Sequence, residues 1–202
     1  MNLILSSVYA GNIDYYCAIL SDSKPIIDIH ENFLKQSFRN RCEIAGANGR
    51  LSLTVPVKRK GKLKVKDIRI DNEQSWRKLH WKSIESAYRS SPYFEYFEHE
   101  FYPTYMLKKF DFLIDLNNQI HQSIVQCLQT ELPLKYSTSY IESSDDYIDL
   151  RNAIHPKRKT SKFYKNPSYF QVFQDRMNHL PNLSILDLLF NEGPMLTELL
   201  KR

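Results

Sequence analysis

The fold of this chain is decided by residues 3–29, LILSSVYAGNIDYYCAILSDSKPIIDI. Two short apolar runs, Leu3–Leu5 and Ile26–Ile29, lie on either side of a segment rich in tyrosine and aliphatic residues. This order predicts a strand, a loop, a helix and a second strand, with Asp22–Pro25 as the turn before the second strand. Strands joined in this way pair in parallel. We therefore predict an α/β fold in a single domain over residues 1–202, with a βαβ amino-terminal half, a mixed sheet and a helical middle region.

A polar segment, HENFLKQSFRNRC at residues 30–42, follows the second of these strands. In a parallel sheet the carboxyl ends of the strands lie at one edge, and ligands bind there. The loop Ser6–Asp14 and the segment beginning at His30 both follow strands, so we expect them to face one common cavity. The alternative is an ordinary solvated surface with salt bridges.

The middle of the chain alternates between strand and helix signals. Asn48-Gly49 is typical of a turn, and the alternating residues after it predict a half-buried strand at Arg50–Val57. The run Lys58–Lys66 reads as a strand or flap with a basic outer face. Helical spacing of apolar residues predicts helices at Trp76–Arg89 and at Thr104–Gln129.

The last third of the chain carries weaker signals. Short strands are predicted at Tyr136–Ile141 and Tyr169–Phe173, separated by a basic, mobile loop at His155–Lys165. A short helix is predicted at Ser184–Phe190, ended by the Gly-Pro pair that follows it.

The composition is that of a soluble globular protein, with 42% hydrophobic and 25% charged residues among 202. A formal net charge of +5 is compatible with a nucleic-acid partner, but a basic pocket for phosphorylated or carboxylated small molecules would give the same balance. The run Lys58–Lys66 is the best argument for nucleic acid. It has no interleaved aromatic residues for base stacking, so we expect no nucleic-acid partner.

The cysteines and the amino-terminal residues indicate in which cellular compartment the protein is expected. The three cysteines, Cys17, Cys42 and Cys127, form no Cys-x-x-Cys pair, and no histidine spacing is typical of a metal site. We therefore expect no metal, and reduced thiols in a cytoplasm. No signal peptide or membrane span is apparent, so we expect no membrane partner. The sequence identifies no cofactor and no oligomeric state.

Several segments together resemble the WbqC-like family of bacterial proteins, and most closely its Bacteroidetes-type members. The matching segments are HENFLKQSFRNRCEIAGANGRLSLTVPV at 30–57, DIRI at 67–70, WRKLHWKSIESAYRSSPYFEYFEHEF at 76–101 and PNLSILDLLFNEGP at 181–194. The resemblance implies a role in surface-polysaccharide, or O-antigen, biosynthesis. It implies no particular reaction and no catalytic residues.

His30 and Glu31 are the candidate catalytic residues. Histidine titrates near neutral pH, and this one follows an apolar strand with a carboxylate beside it. The alternative is a structural histidine. Cys42 is a candidate nucleophile only if a neighbouring base or cation lowers its pKa, and a buried thiol is the alternative.

The candidate anion-binding residues follow in the same segment. If the segment from Glu31 to Cys42 is helical, one face presents Asn32, Lys35 and Arg39, and the two cations form a clamp for a phosphate or carboxylate. The alternative is a surface pair between Glu31 and Lys35. The full predicted ligand set adds five further residues: Tyr9, Asn40, Arg41, His155 and Lys157. The last two lie in a loop that closes on the ligand or is simply solvated.

We therefore predict an enzyme, with a transferase as one possible class, that acts on a small anionic metabolite. An activated sugar or acyl donor for surface polysaccharide is one such metabolite. The alternatives are a non-catalytic nucleic-acid-binding module and a scaffold of a biosynthetic complex.

Overall fold

The computed structural model describes residues 2–21, 25–58 and 61–201. In chain order its strands are β1 Asn2–Leu5, β2 Ile26–Ile27, β3 Arg41–Gly46, β4 Gly49–Thr54, β5 Val57–Lys58, β6 Arg69–Ile70, β7 Lys135–Tyr136 and β8 Tyr147–Asp149. The helices are α1 Ile13–Leu20, α2 Trp76–Tyr88, α3 Phe94–Tyr102, α4 Leu113–Leu128, α5 Ile185–Glu192 and α6 Leu196–Lys201.

The main sheet has the strand order β7-β2-β1-β8, and all of its pairings are parallel. Leu3, Ile4 and Leu5 are all buried, as expected for a central parallel strand that is covered on both faces. The helix α1 joins β1 to β2, and the side chain of Asn12 caps it by accepting from the backbone of Tyr15. The predicted α/β fold and its βαβ start are confirmed. The predicted turn at Asp22–Pro25 lies largely outside the described residues.

Antiparallel pairing occurs in two separate ribbons, β3 with β4 and β5 with β6. The predicted turn at Asn48-Gly49 is confirmed: Gly46 pairs with Gly49, which has a φ of 112° that glycine adopts without strain. The strand β3 begins at Arg41, in a segment for which the sequence suggested a helix.

The helix considered for residues 31–42 is wrong. Backbone groups of this segment bond to distant parts of the chain instead of to each other. Val65 donates to the carbonyl of Glu31 at 3.0 Å, and Tyr9 donates to the carbonyl of Phe38 at 2.9 Å. These long-range bonds replace the local bonds of a helix.

The run Lys58–Lys66 is not one strand in its described part. Lys58 ends β5, which pairs with β6, and Val65–Asp67 forms a 3-10 turn. Lys62, Lys64 and Lys66 therefore do not repeat along one strand face.

The helix predicted at Thr104–Gln129 is interrupted. A five-residue π-helical turn, Pro103–Leu107, extends α3, and α4 starts only at Leu113. Between them the chain pairs with β6: Ile70 donates to the carbonyl of Asp111 and Leu113 donates to the carbonyl of Ile68, both at 2.9 Å. This pairing holds the chain extended where helical periodicity alone predicted a continuous helix.

In the carboxyl-terminal third, the predicted strand at Tyr169–Phe173 is absent from the described structure. There the buried side chain of Gln171 donates to the hydroxyl of Tyr169 and the carbonyl of Leu180, both at 3.0 Å. The predicted helix is confirmed as α5, capped by Ser184, and it contacts α1, α2, α3 and β3. Within the described residues, no helix is both long and apolar enough to cross a membrane.

Candidate functional site

The carboxyl ends of the four parallel strands bring polar side chains to one edge of the main sheet. Ser6 follows β1, Asp28 follows β2 and Ser137 follows β7, while Arg151 lies two residues beyond β8. The strand order reverses between β1 and β8, which is the position where open α/β sheets bind ligands. The candidate site therefore lies at this edge of the sheet.

A buried network of ion pairs lies at this edge of the sheet. The guanidinium of Arg151 lies 2.5 Å from a carboxylate oxygen of Asp28 and 2.5 Å from one of Asp149. Burial would raise the pKa of Asp149, but hydrogen bonds from Arg151 and Ser143 outweigh it and lower that pKa. The hydroxyl of Ser6 donates to the carbonyl of Arg151 at 3.1 Å, which ties β1 to the same network.

A second buried pair adjoins the first. Arg39 binds Glu31 through both of its carboxylate oxygens, at 2.9 and 2.5 Å, and also donates to the carbonyl of Arg151 at 3.2 Å. Both side chains are almost inaccessible to solvent. Burial raises the pKa of the Glu31 carboxyl despite the opposing charge of Arg39. Bidentate geometry of this kind fixes the guanidinium firmly.

Beside the network lies a groove of about 630 Å³. Its walls come from the segment before β3, from the β3–β4 hairpin and from the segment after β8. They include Phe38, Arg50, His155, Arg158 and Tyr164. We call this the basic groove. Arg50 pairs with Glu43, its guanidinium nitrogen 2.6 Å from the carboxylate oxygen, on one wall. The groove thus combines cationic and aromatic surfaces.

His155 lies among positive charges in this groove. Burial lowers the pKa of its imidazole, and the charges of Arg158, Arg39, Lys157 and Arg41 lower it further. The backbone of Lys157 donates to Nδ1 of His155 at 3.1 Å, so the proton of the neutral ring lies on Nε2. Of the residues predicted to bind an anion, His155 is the one found among the described residues that line the basic groove, while Arg39, Arg41 and Lys157 act on it through their charges.

Arg41 has an unmet donor. Its side chain is partly buried, and its Nε is buried without a hydrogen-bond partner among the residues the structure describes. A buried donor of this kind is costly unless a ligand or a water meets it.

The other predicted residues lie elsewhere. Tyr9 is fully buried and bonds to His80 and Tyr105, at 2.8 and 2.9 Å. Asn40 is buried and donates to the carbonyl of Val55 at 2.8 Å. Both residues pack inside the protein, so their side chains are not presented to the basic groove.

Three predicted residues are more accessible. His30 is partly buried, and its backbone donates to a carboxylate oxygen of Asp28 at 2.9 Å. Asn32 and Lys35 are exposed, whereas Arg39 is buried. The predicted two-cation clamp of Lys35 and Arg39 on one helix face is therefore not formed.

The basic segment His155–Lys165 has no regular structure, but it is anchored. Lys157 bonds to the side chain of Gln36 at 2.8 Å. Ser161 donates through its backbone and its hydroxyl to the two carboxylate oxygens of Asp14, at 2.8 and 2.5 Å. These contacts hold the segment against the first helix and the site.

Sequence reasoning missed Asp28, Asp149 and Arg151. Asp28 carried a usable signal, because it directly follows the apolar pair of β2. Arg151 carried none, because β8 is only three residues long and follows an acidic loop. Among the residues described, no group of histidine, cysteine, aspartate and glutamate side chains is arranged to hold a metal ion.

A fold with a parallel sheet and a polar site at its carboxyl edge defines a broad class of α/β proteins. Comparison with known proteins identifies the family within this class. The family model of the WbqC-like protein family matches residues 7–164. The chain belongs to this family, as the resemblance of its segments predicted.

The chain is also similar to a bacterial protein described as "Uncharacterized protein Rv1507c" of Mycobacterium tuberculosis (strain ATCC 25618 / H37Rv). The two are 25% identical over 216 residues, which cover 94% of this chain and 93% of the relative. No solved structure matches the chain significantly.

Proposed function

We propose that this protein is a bacterial enzyme that binds a small anionic metabolite in the basic groove. The observation that carries the proposal is the concentration of positive charge at the basic groove: Arg50 and Arg158 line it, and the charges of Arg41 and Lys157 act on His155 in its wall. Like charges repel one another, and a bound anion relieves that repulsion. The unmet Nε donor of Arg41 supports the same conclusion.

The size and lining of the basic groove agree with a metabolite. Its volume of about 630 Å³ lies within the range of small-molecule sites. Phe38, Tyr164 and Pro156 supply flat or apolar surfaces beside the cations. A ligand with a negatively charged group and a ring or sugar body suits such walls.

We propose an activated sugar or acyl donor as the substrate, used in surface-polysaccharide assembly. The link of the WbqC-like family to O-antigen biosynthesis supports this substrate class. In the proposed binding mode the cations hold the anionic group of the substrate, and the Nε2–H of His155 donates to it. His30 is the proposed acid or base, and the pairing of Glu31 with Arg39 favours a positioning role for Glu31.

We further propose that the enzyme works in the cytoplasm, where its three buried, free cysteines would stay reduced.

The test is a thermal-shift and calorimetric titration with a uridine diphosphate sugar, acetyl coenzyme A and inorganic phosphate. A ligand at a hundredfold its Kd adds about 2.7 kcal/mol to stability, which raises the melting temperature measurably. Arg158→Gln removes an exposed groove cation and should weaken binding of that ligand by about 1.5–3 kcal/mol.

The matched control is Lys78→Gln, which removes an exposed cation from α2, an element that does not line the basic groove. The control should bind as the native protein does. Equal affinity of Arg158→Gln and Lys78→Gln for the anion, or no binding of any of the three compounds, contradicts the proposal.

A further inference from the structure

Asn117, on α4, has a buried acceptor without a donor. The side chain is 4% exposed, and its Nδ2 donates to the hydroxyl of Ser7 and to the carbonyl of Arg39, both at 3.0 Å. A backbone carbonyl only accepts, so the amide cannot be turned the other way round. Its Oδ1 is left buried with no hydrogen-bond partner in the described part of the chain.

The same asparagine lines a partly enclosed cavity of about 10 Å³, together with Ser7, Gly11, Tyr16 and His121. We call it the inner cavity. Its volume is close to that of one water, or of one ligand atom that carries N–H or O–H. No aspartate, glutamate, lysine or arginine is among the described residues that line it.

His121 is the histidine among the described residues of the inner cavity, and its surroundings favour the neutral ring. Burial lowers the pKa of His121, whose Nδ1 lies 3.1 Å from the hydroxyl of Tyr16. A charged group would find no counter-ion there. The inner cavity therefore suits an uncharged group that donates a hydrogen bond.

A larger groove adjoins the inner cavity from outside. It has a volume of about 560 Å³ and lies between α4 and residues 130–136, with Val125, Gln126 and Leu132 in its walls. We call it the α4 groove. Four side chains line both spaces and separate them: Asn118, His121, Leu134 and Tyr136.

Two of these four side chains, both partly buried, are joined by a hydrogen bond. The hydroxyl of Tyr136 donates to Oδ1 of Asn118 at 2.9 Å. Passage from the α4 groove into the inner cavity requires these side chains to move, and rotamer changes of accessible side chains are fast.

We propose that the α4 groove and the inner cavity form a second binding site, for an uncharged molecule with a primary amide or hydroxyl group. The amide or hydroxyl enters the inner cavity and donates to Oδ1 of Asn117, while the apolar body of the molecule lies in the α4 groove. This site is separate from the basic groove and does not depend on the function proposed for it.

Three small compounds of similar shape test the chemistry: acetamide, acetone and acetate. Each is titrated into the ¹⁵N-labelled protein, and backbone amide shifts are followed at Ser7, Asn117 and His121. Acetamide should give saturable shifts. Acetone lacks the donor and should bind about fivefold more weakly, the factor expected for one net hydrogen bond. Acetate should not bind at these residues.

A variant that fills the α4 groove tests the location. Gln126→Trp places a large ring at an exposed position in the groove wall, without changing the core, and should abolish the acetamide shifts. Lys78→Trp adds the same ring at an exposed position on α2 and should leave them unchanged. Absence of acetamide binding would mean that the inner cavity holds only water, and this overturns the proposal. Equal binding of acetamide and acetone, or binding that survives in Gln126→Trp, overturns it as well.

Discussion

At the residue scale, burial changes the pKa of His80. It is 3% exposed, its Nδ1 lies 2.8 Å from the hydroxyl of Tyr9, and its ring meets that of Trp76 edge to face. Burial lowers its pKa to about 4, against about 6.5 in an unfolded chain. The unfolded chain therefore takes up the proton first as the pH falls.

The consequence is a pH-dependent loss of stability. The contribution of neutral His80 is fully present above about pH 6.5 and is lost as the pH falls toward 4, with a total of about 3 kcal/mol. His80→Gln cannot take up this proton, so its stability should fall less over the same interval. Urea unfolding at several pH values measures both proteins. If the free energy of unfolding falls equally in both proteins between pH 6.5 and 4, the low pKa of His80 is contradicted.

The cysteines give a second prediction at this scale. Cys17, Cys42 and Cys127 are all buried. Burial raises the pKa of Cys17 to about 11 and that of Cys127 to about 12, and it raises the pKa of Cys42 further. Because the thiolate is the reactive form, Ellman's reagent should label none of the three thiols in the native protein and all of them in urea. Rapid labelling of native Cys42 would restore its candidacy as a nucleophile.

At the scale of elements, the segment between β2 and β3 is held by its ion pair rather than by helical bonds. Arg39 and Glu31 are eight residues apart and both buried. Removing one partner leaves the other as an unpaired buried charge, which is strongly destabilising.

Arg39→Ala should therefore lower the free energy of unfolding by about 3–5 kcal/mol. Arg41→Ala is the comparison, because Arg41 is only partly buried and its Nε has no partner in the described structure. It should cost little stability and weaken anion binding instead. Denaturant unfolding of both variants distinguishes these roles. A small stability loss in Arg39→Ala, with weakened anion binding, would return Arg39 to the ligand set.

At the scale of the whole molecule, the net charge of +5 is distributed in a way that disfavours nucleic acid. Lys58 lies 2.6 Å from Glu73, Lys66 lies 3.5 Å from Asp67, and the ammonium of Lys64 lies over the ring of Tyr140. Neighbouring carboxylates weaken the field that a phosphate backbone would meet.

We therefore expect no binding of a labelled single-stranded oligonucleotide tighter than about 0.1 mM at physiological salt. Fluorescence anisotropy over a salt series measures it. The triple variant Lys62→Gln, Lys64→Gln, Lys66→Gln should behave like the native protein. Submicromolar, salt-sensitive binding that the triple variant loses would favour the nucleic-acid alternative over the enzyme.

Local patterns in the sequence were enough to predict much of the fold. A few neighbouring residues encode each of four features: the apolar runs of β1 and β2, the turn at Asn48-Gly49, the spacing of α2 and the Gly-Pro pair that ends α5. Such signals depend on steric preference and periodicity, which act locally. They also sufficed to place a polar segment at the carboxyl edge of the sheet.

The contacts that define the site were decided only by the tertiary structure. The partners Arg151 and Asp28 are 123 residues apart, and Asn117 and Ser7 are 110 apart. The chain between Leu107 and Leu113 leaves its helix because β6 offers it backbone partners. Residues 31–40 likewise bond to distant strands and loops. A buried polar group needs a hydrogen-bond partner, and the partner is often far away in the sequence. A local sequence pattern does not indicate which distant residue that partner is.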